Sequence, residues 1–245
     1  MLRGVFVTGT DTGVGKTFVT VGLARVLSSQ GLRVGVMKPI ETGCVRNGDT
    51  LIPSDASFLR RAAGANQNLS SVCPYRFEAP LAPDVAARQV GATINPEVIY
   101  DQFRRVARAH DVVLVEGAGG LLVPIWERYR MADLASQLGL PLLVVAASRL
   151  GAVNHTLLTL ELAKLRGLRV VAYILNQLAS KTDGAMETNC ELLARLTDVP
   201  CAGVVPWSTS GPRDTVQRAA VAVEKALSVT DLFLHSVEDG RDRRL

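Results

Sequence analysis

Histidine is scarce in this chain, with three residues among 245, and the four cysteines, Cys44, Cys73, Cys190 and Cys201, stand far apart. Without a C-x-x-C pair, neither a zinc site nor a disulfide framework fits, so reduced thiols and a cytoplasmic location are expected. Long hydrophobic runs are missing too. The longest, around 140–147, falls far short of the ~20 residues needed to cross a bilayer. Met1-Leu2-Arg3 precedes an apolar run of only strand length, and no leader or membrane partner is expected. Basic residues outnumber acids by 27 to 23 but are interspersed with them. That scatter gives no nucleic-acid-binding stripe, and Arg60-Arg61, Arg104-Arg105 and the tail 241–244 read as solvated surface. Neither a Ser-His-Asp nor a Cys-His set stands out, which removes the usual signs of nucleophilic catalysis.

What is present is a composition suited to a compact core, 48% hydrophobic and 20% charged. Short β-branched runs at 4–8, 33–37, 111–116, 141–147, 169–175 and 201–205 alternate with helical patterns at 16–30, 96–109, 154–166, 185–196 and 215–227. The alternation predicts a single α/β domain over 1–245: a doubly wound, mostly parallel sheet with helices on both faces. One interval breaks the rhythm. About seventy residues separate the second and third runs, where a crossover needs roughly a dozen or two. An inserted, substrate-side excursion is therefore expected over about 39–110, with a helix over Ser54–Ala63, N-capped by Ser54, and a proline-rich passage over 74–83.

The apolar run 5–8 leads into Gly9-Thr10-Asp11-Thr12-Gly13-Val14-Gly15-Lys16-Thr17 and then into an apolar helix. Strand, glycine loop and helix in that order make a phosphate cradle. Its amides and helix N-terminus favour anions, Lys16 can reach the β- and γ-phosphates, and the Thr17 hydroxyl can bind Mg²⁺. The loop departs from G-x-x-x-x-G-K-[ST] at its first position, where Thr10 stands and Gly9 comes one residue early. Of the 27 basic residues five are lysines (Lys16, Lys38, Lys164, Lys181 and Lys225), leaving 22 arginines. Two of those scarce lysines, Lys16 and Lys38, fall at the strand or loop ends that follow the first two strands, where an open α/β sheet has its ligand crevice.

A second motif, 111–116 followed by Gly117-Ala118-Gly119-Gly120, is an apolar strand ending in the carboxylate of Glu116. A carboxylate there can hold Mg²⁺ or cap a turn. Asn176 closes the run 169–175, a position from which a base can be read, although asparagine also terminates strands by itself.

Taken together, the loop 9–17, Met37-Lys38-Pro39-Ile40-Glu41-Thr42-Gly43, Val115-Glu116-Gly117-Ala118-Gly119-Gly120 and Leu150-Gly151-Ala152-Val153-Asn154-His155 resemble the dethiobiotin synthetase family in order and spacing, from the first strand to about Trp207. The resemblance implies a P-loop NTPase-like fold and an ATP- and Mg²⁺-dependent cyclo-ligase of biotin biosynthesis. It implies that diaminopelargonic acid takes up CO₂ as a carbamate, ATP phosphorylates it, and the second amine displaces phosphate to close the ring of dethiobiotin. Lys16 and Lys38 would then serve as catalytic cations, and Thr17, Asp55 and Glu116 would surround Mg²⁺. The nucleotide would lie against Thr12, Gly13, Val14, Gly15, Gly117, Ala118 and Gly119. Its base would meet Asn176, Gln177, Pro206 and Trp207. Thr42 would contact the diamine or carbamate, and Leu150, Gly151, Ala152, Val153 and Asn154 would receive the substrate carboxylate from the neighbouring subunit of a homodimer.

The chain departs from the family's pattern at Gln177, where an acid commonly follows the asparagine, at Thr188, where a tyrosine is expected, and at Gly13, often an acid. Two other classes share the nucleotide loop. A partitioning or cell-division switch ATPase carries a signature lysine where this chain has Asp11, and the segment 215–237 lacks a basic amphipathic face. An amide-forming synthetase of the cobyrinate type needs a glutaminase half, for which 245 residues leave no room.

Overall fold

The computed structural model describes residues 3–64, 66–180, 184–208 and 215–229. Lys181, His235, the tail 241–244 and the end of the 215–237 segment lie outside the described residues. The chain opens with β1 (Arg3–Gly9), α1 (Lys16–Ser29) and β2 (Val34–Met37). The excursion follows: β3 (Ile40–Thr42), a hairpin of β4 (Val45–Asn47) and β5 (Thr50–Ile52), α2 (Ser54–Ala63), α3 (Leu69–Val72), β6 (Tyr75–Phe77) and α4 (Pro83–Gln89). α5 (Pro96–Ala109) returns the chain to β7 (Val112–Glu116). After a small hairpin, β8 (Pro124–Trp126) and β9 (Tyr129–Arg130), come α6 (Met131–Leu138) and β10 (Leu142–Ala147). The last elements are α7 (Ala152–Leu165), β11 (Val170–Asn176), α8 (Gly184–Leu196), β12 (Cys201–Val205) and α9 (Thr215–Ala226).

Six strands form one all-parallel sheet in the order β12-β11-β10-β1-β7-β2. The strand order turns at β1, which has β7 and β2 on one side and β10, β11 and β12 on the other. This is the topological switch point where open α/β sheets bind ligands, at the carboxyl ends of the strands. The central strands are continuous apolar runs because both faces are covered, and β2, β7 and β10 are buried throughout. α1, α2 and α9 pack on one face around Val5, Val7, Leu23 and Val223. α5 and α6 cover the other around Phe6, Ile99, Phe103 and Leu134, and α7 and α8 extend that layer over Val144, Tyr173 and Leu193. Among the described residues no helix is long and apolar enough to cross a membrane.

The expected strands and helices are present, with ends shifted by a residue or two. Two helix starts differ from expectation. α7, expected from 154, begins at Ala152 behind Gly151, whose φ of 91° lies in the left-handed region, so Asn154 sits inside the first turn. α2 begins at Ser54 behind Pro53, and no side chain in its own segment caps it. Its cap comes from Glu41. The short elements β3 to β6, β8, β9, α3, α4 and α6 carry too few residues for periodicity to announce them.

Candidate active site

The phosphate loop is the turn between β1 and α1, and the structure explains its irregular glycines. Gly9 is the last residue of β1; a Cβ there would lie 2.9 Å from Lys16 Nζ and 2.8 Å from the Asp11 carbonyl. The glycine is therefore needed at position 9, while Thr10 is tied to β10 through its amide and the Val145 carbonyl, 3.0 Å apart. Gly15 is left-handed at φ 90° and caps α1, and Gly13 is left-handed beside it. Lys16 folds back over the loop and donates to the Asp11 carbonyl at 2.9 Å. Its pKa is pushed down to about 8, first by burial and then by the ammonium of Lys38. Two crowded ammoniums of this kind are what a polyphosphate would relieve.

Lys38 leaves the end of β2 and is almost wholly buried. Its Nζ donates to Glu116 Oε1 at 2.5 Å and reaches Asp55 Oδ2 at 2.9 Å. Burial alone would lower its pKa, but the carboxylates of Glu116 and Asp55 outweigh that effect and hold it above the ordinary lysine value. Glu116 closes β7, is fully buried, and also accepts the Thr17 hydroxyl on Oε1 at 2.8 Å. Its Oε2 is buried with no hydrogen-bond partner. A hydroxyl, an uncommitted carboxylate oxygen and the half-exposed Asp55 make a hard-oxygen donor set around a position already held by a cation.

These groups converge on a cleft of about 590 Å³ at the carboxyl ends of β1, β2 and β7. Of the residues expected from sequence, Thr12, Gly13, Gly15, Lys16, Thr17 and Lys38 line it. Thr42, Asp55, Glu116, Ala118 and Gly119 complete that wall. Val14 is buried under the loop, and Gly117 is packed behind it, where a Cβ would lie 2.9 Å from the Phe6 ring. Pro80, Leu81 and Pro83, from the proline-rich passage, close the far side with Ile40 and Glu41. Glu41, in the K-P-I-E-T-G run, lines the cleft although sequence reasoning did not single it out. A wider depression of about 750 Å³ on the outer side of α2, bounded by Phe58, Arg60, Arg61 and Asn66, has none of the phosphate-loop residues. Opposite charges and the loop meet in the smaller cleft.

The remaining expected residues lie outside the cleft. Asn176 closes β11 and Gln177 follows it, with Asn176 in register with Val205 of β12 and Pro206 and Trp207 just beyond. Asn176 is buried, and its Nδ2 donates to the Val14 carbonyl at 3.0 Å, which clamps the phosphate loop from the side. Residues 150–154 form the start of α7 beyond the far side of the loop, with Leu150 85% exposed. Thr188, on α8, turns its hydroxyl back to the Gly184 carbonyl. A second depression, of about 440 Å³, separates the loop from α7; Asp11, Leu122, His155 and Leu158 bound it, and it shares Thr12 and Val123 with the cleft.

Residues 3–212 match the family model described as an AAA domain. The chain is 42% identical over 229 residues to an ATP-dependent dethiobiotin synthetase BioD of Thermodesulfovibrio yellowstonii, covering 90% of this chain and 95% of that one. It is 39% identical over 215 residues to the ATP-dependent dethiobiotin synthetase BioD of Bacillus subtilis strain 168, covering 88% and 92%. Among solved structures, a ParA family ATPase from Chlorobium tepidum TLS gives a TM-score of 0.57 at 15% identity, with 96% of this chain and 100% of that one covered. A chain of the MinC:MinD cell division protein complex of Aquifex aeolicus also gives 0.57, at 14% identity, with 99% and 98% covered. At such identities the likeness is one of fold, an α/β sheet.

Proposed function

The chain belongs to the ATP-dependent dethiobiotin synthetase family, and on that premise we propose that it closes the ureido ring of dethiobiotin from diaminopelargonic acid, CO₂ and ATP, releasing ADP and phosphate. The observation that carries this reading is the meeting of Lys16 and Lys38 with Thr17, Asp55 and Glu116 in one cleft. Transfer of a phosphoryl group to a carbamate asks for positioning and charge neutralisation more than for a strong base. Lys16 would bear on the β- and γ-phosphates. Lys38, at the wall between the loop and Thr42, would neutralise the carbamate and the oxygens in transfer. Thr42 would orient the diamine, whose second amine then attacks the carbamoyl phosphate and expels phosphate.

Thr17, Asp55 and Glu116 would hold Mg²⁺, which supplies charge neutralisation for the phosphates when bound. The partnerless Glu116 Oε2 and the hard-oxygen character of the set support that assignment. Among the described residues no three His, Cys, Asp or Glu side chains cluster to hold a metal ion. The base would lie between Asn176, Gln177, Pro206 and Trp207.

The carboxylate of the diamine would be received by the α7 start, 150–154, of a second copy, giving a homodimer with shared substrate sites. Helix amides suit an anion. The exposed leucines of α7, Leu158 and Leu165, lie about two turns apart on one face beside Leu150 and give such a dimer an apolar contact. Leu158→Glu with Leu165→Glu should convert a dimer into a monomer in sedimentation and raise KM for the diamine at least tenfold; an unchanged dimer would place the interface elsewhere. A cytoplasmic location accords with the free thiols of Cys44, Cys73, Cys190 and Cys201.

The direct test is to incubate the purified protein with diaminopelargonic acid, bicarbonate, Mg²⁺ and ATP. Dethiobiotin should appear with ADP and phosphate in equal amounts. ATP hydrolysis that ignores the diamine and yields no cyclic urea would sink the reading.

A further inference from the structure

Glu41 has no role in the chemistry above, yet it is buried in the wall of the cleft. α2 starts behind a proline that offers no side-chain acceptor, and a helix start leaves its first amides to be satisfied from elsewhere. Glu41 supplies both acceptors: Oε1 takes the Asp55 amide at 3.0 Å and Oε2 the Ala56 amide at 3.0 Å. An ordinary cap comes from the residue next to the helix. This one reaches across from β3, 14 residues away, and β3 is itself held in register with β6.

The consequence lies in what the two stapled segments carry. On one side Lys38 stands three residues before Glu41. On the other, Asp55, whose amide Glu41 holds, sends its carboxylate back to Lys38 at 2.9 Å. Both ends of the ion pair therefore hang from segments joined by Glu41. The Asp55 side chain is 37% exposed, against 6% for Lys38 and 0% for Glu116, so its carboxylate is the least enclosed of the three. Where it stands depends on the backbone that Glu41 holds.

We propose that Glu41 is a positioning residue: by holding the Asp55 amide it sets where the Asp55 carboxylate stands relative to Lys38, and through Asp55 how tightly the cleft binds a divalent cation with its nucleotide. This rests on reading the cleft as the nucleotide and Mg²⁺ site. The alternative is that Glu41 only caps α2 and contributes to folding.

The test uses the full chain with Mn²⁺ as the probe, its free concentration read by electron paramagnetic resonance in the presence of a non-hydrolysable ATP analogue. Melting temperatures are recorded for each variant. Glu41→Ala should weaken Mn²⁺ binding about tenfold, as loss of an outer partner to a metal ligand does. In an Asp55→Asn background the same change should alter Mn²⁺ binding less than about twofold, because the two act through one contact. The fall in melting temperature should be alike in both backgrounds. Glu41→Gln keeps one acceptor oxygen and should lie between wild type and alanine; it carries the test if the alanine variant fails to fold. Unchanged Mn²⁺ binding in either foldable variant, or an equal weakening with and without Asp55, would overturn the proposal and leave Glu41 a cap. Failure of the wild type to bind Mn²⁺ with the analogue would overturn the reading of the cleft and this inference with it.

Discussion

Lys38→Ala should lower the rate of dethiobiotin formation on the order of 10²-fold or more, and should destabilise the fold as well. The first effect is the loss of a preorganised cation aimed at developing charge, a loss typical of removing one such donor. The second follows from where the ammonium stands. It lies between Glu116, which is fully buried, and Asp55, and alanine leaves the Glu116 carboxylate buried with only the Thr17 hydroxyl for company. Breaking a buried pair from one side costs roughly 3–5 kcal/mol, because the remaining charge is uncompensated. Lys38→Ala/Glu116→Gln should then recover much of the stability and none of the turnover. Denaturant midpoints and single-turnover rates of the purified variants check the two effects separately. Near-normal turnover in Lys38→Ala would remove this residue from the site.

Gly15→Ala should weaken ATP binding by about 10²-fold, the largest effect expected of any single methyl group here. Two separate obstacles meet at this position. Its φ of 90° lies where a Cβ costs roughly 1–2 kcal/mol. That Cβ would also sit 2.0 Å from Asn176 Nδ2. Either Asn176 leaves the Val14 carbonyl or the loop moves and takes Lys16 with it. Gly15→Ala/Asn176→Ala should therefore lose less affinity than the two single changes combined, since with Asn176 gone the added methyl meets no collision and only the backbone strain remains. Calorimetric titration with ATP distinguishes the outcomes. An undiminished affinity in Gly15→Ala would mean that the loop does not bind nucleotide in this conformation.

Much of this was legible before any coordinates. The buried strands announce themselves because a parallel sheet covered on both faces needs continuous apolar runs, and the phosphate loop because its chemistry is local. α6 did not stand out: eight residues between a hairpin and Gly139 are too few for a periodic signal. The start of α7 lies two residues before the pattern at 154, because Gly151 holds the cap through its left-handed backbone rather than through a side chain. The helix cap made by Glu41 and the loop clamp made by Asn176, which the sequence marks only as a possible base reader, are opaque for another reason. The first acts on a helix 14 residues away and the second on a loop 162 residues away, and no short pattern encodes either.

The place of β1 within the sheet has a bearing on how the protein comes into being. As the chain emerges during synthesis, β1 and the nucleotide loop appear well before their flanking strands, which begin only at Val112 and Leu142, and the clamp arrives only with Asn176. A segment made before its partners is thus finished after them. A chain halted before β11 would display the whole phosphate-binding motif while lacking the side chain that steadies it, so nucleotide affinity should arise late, as a property of the nearly complete fold.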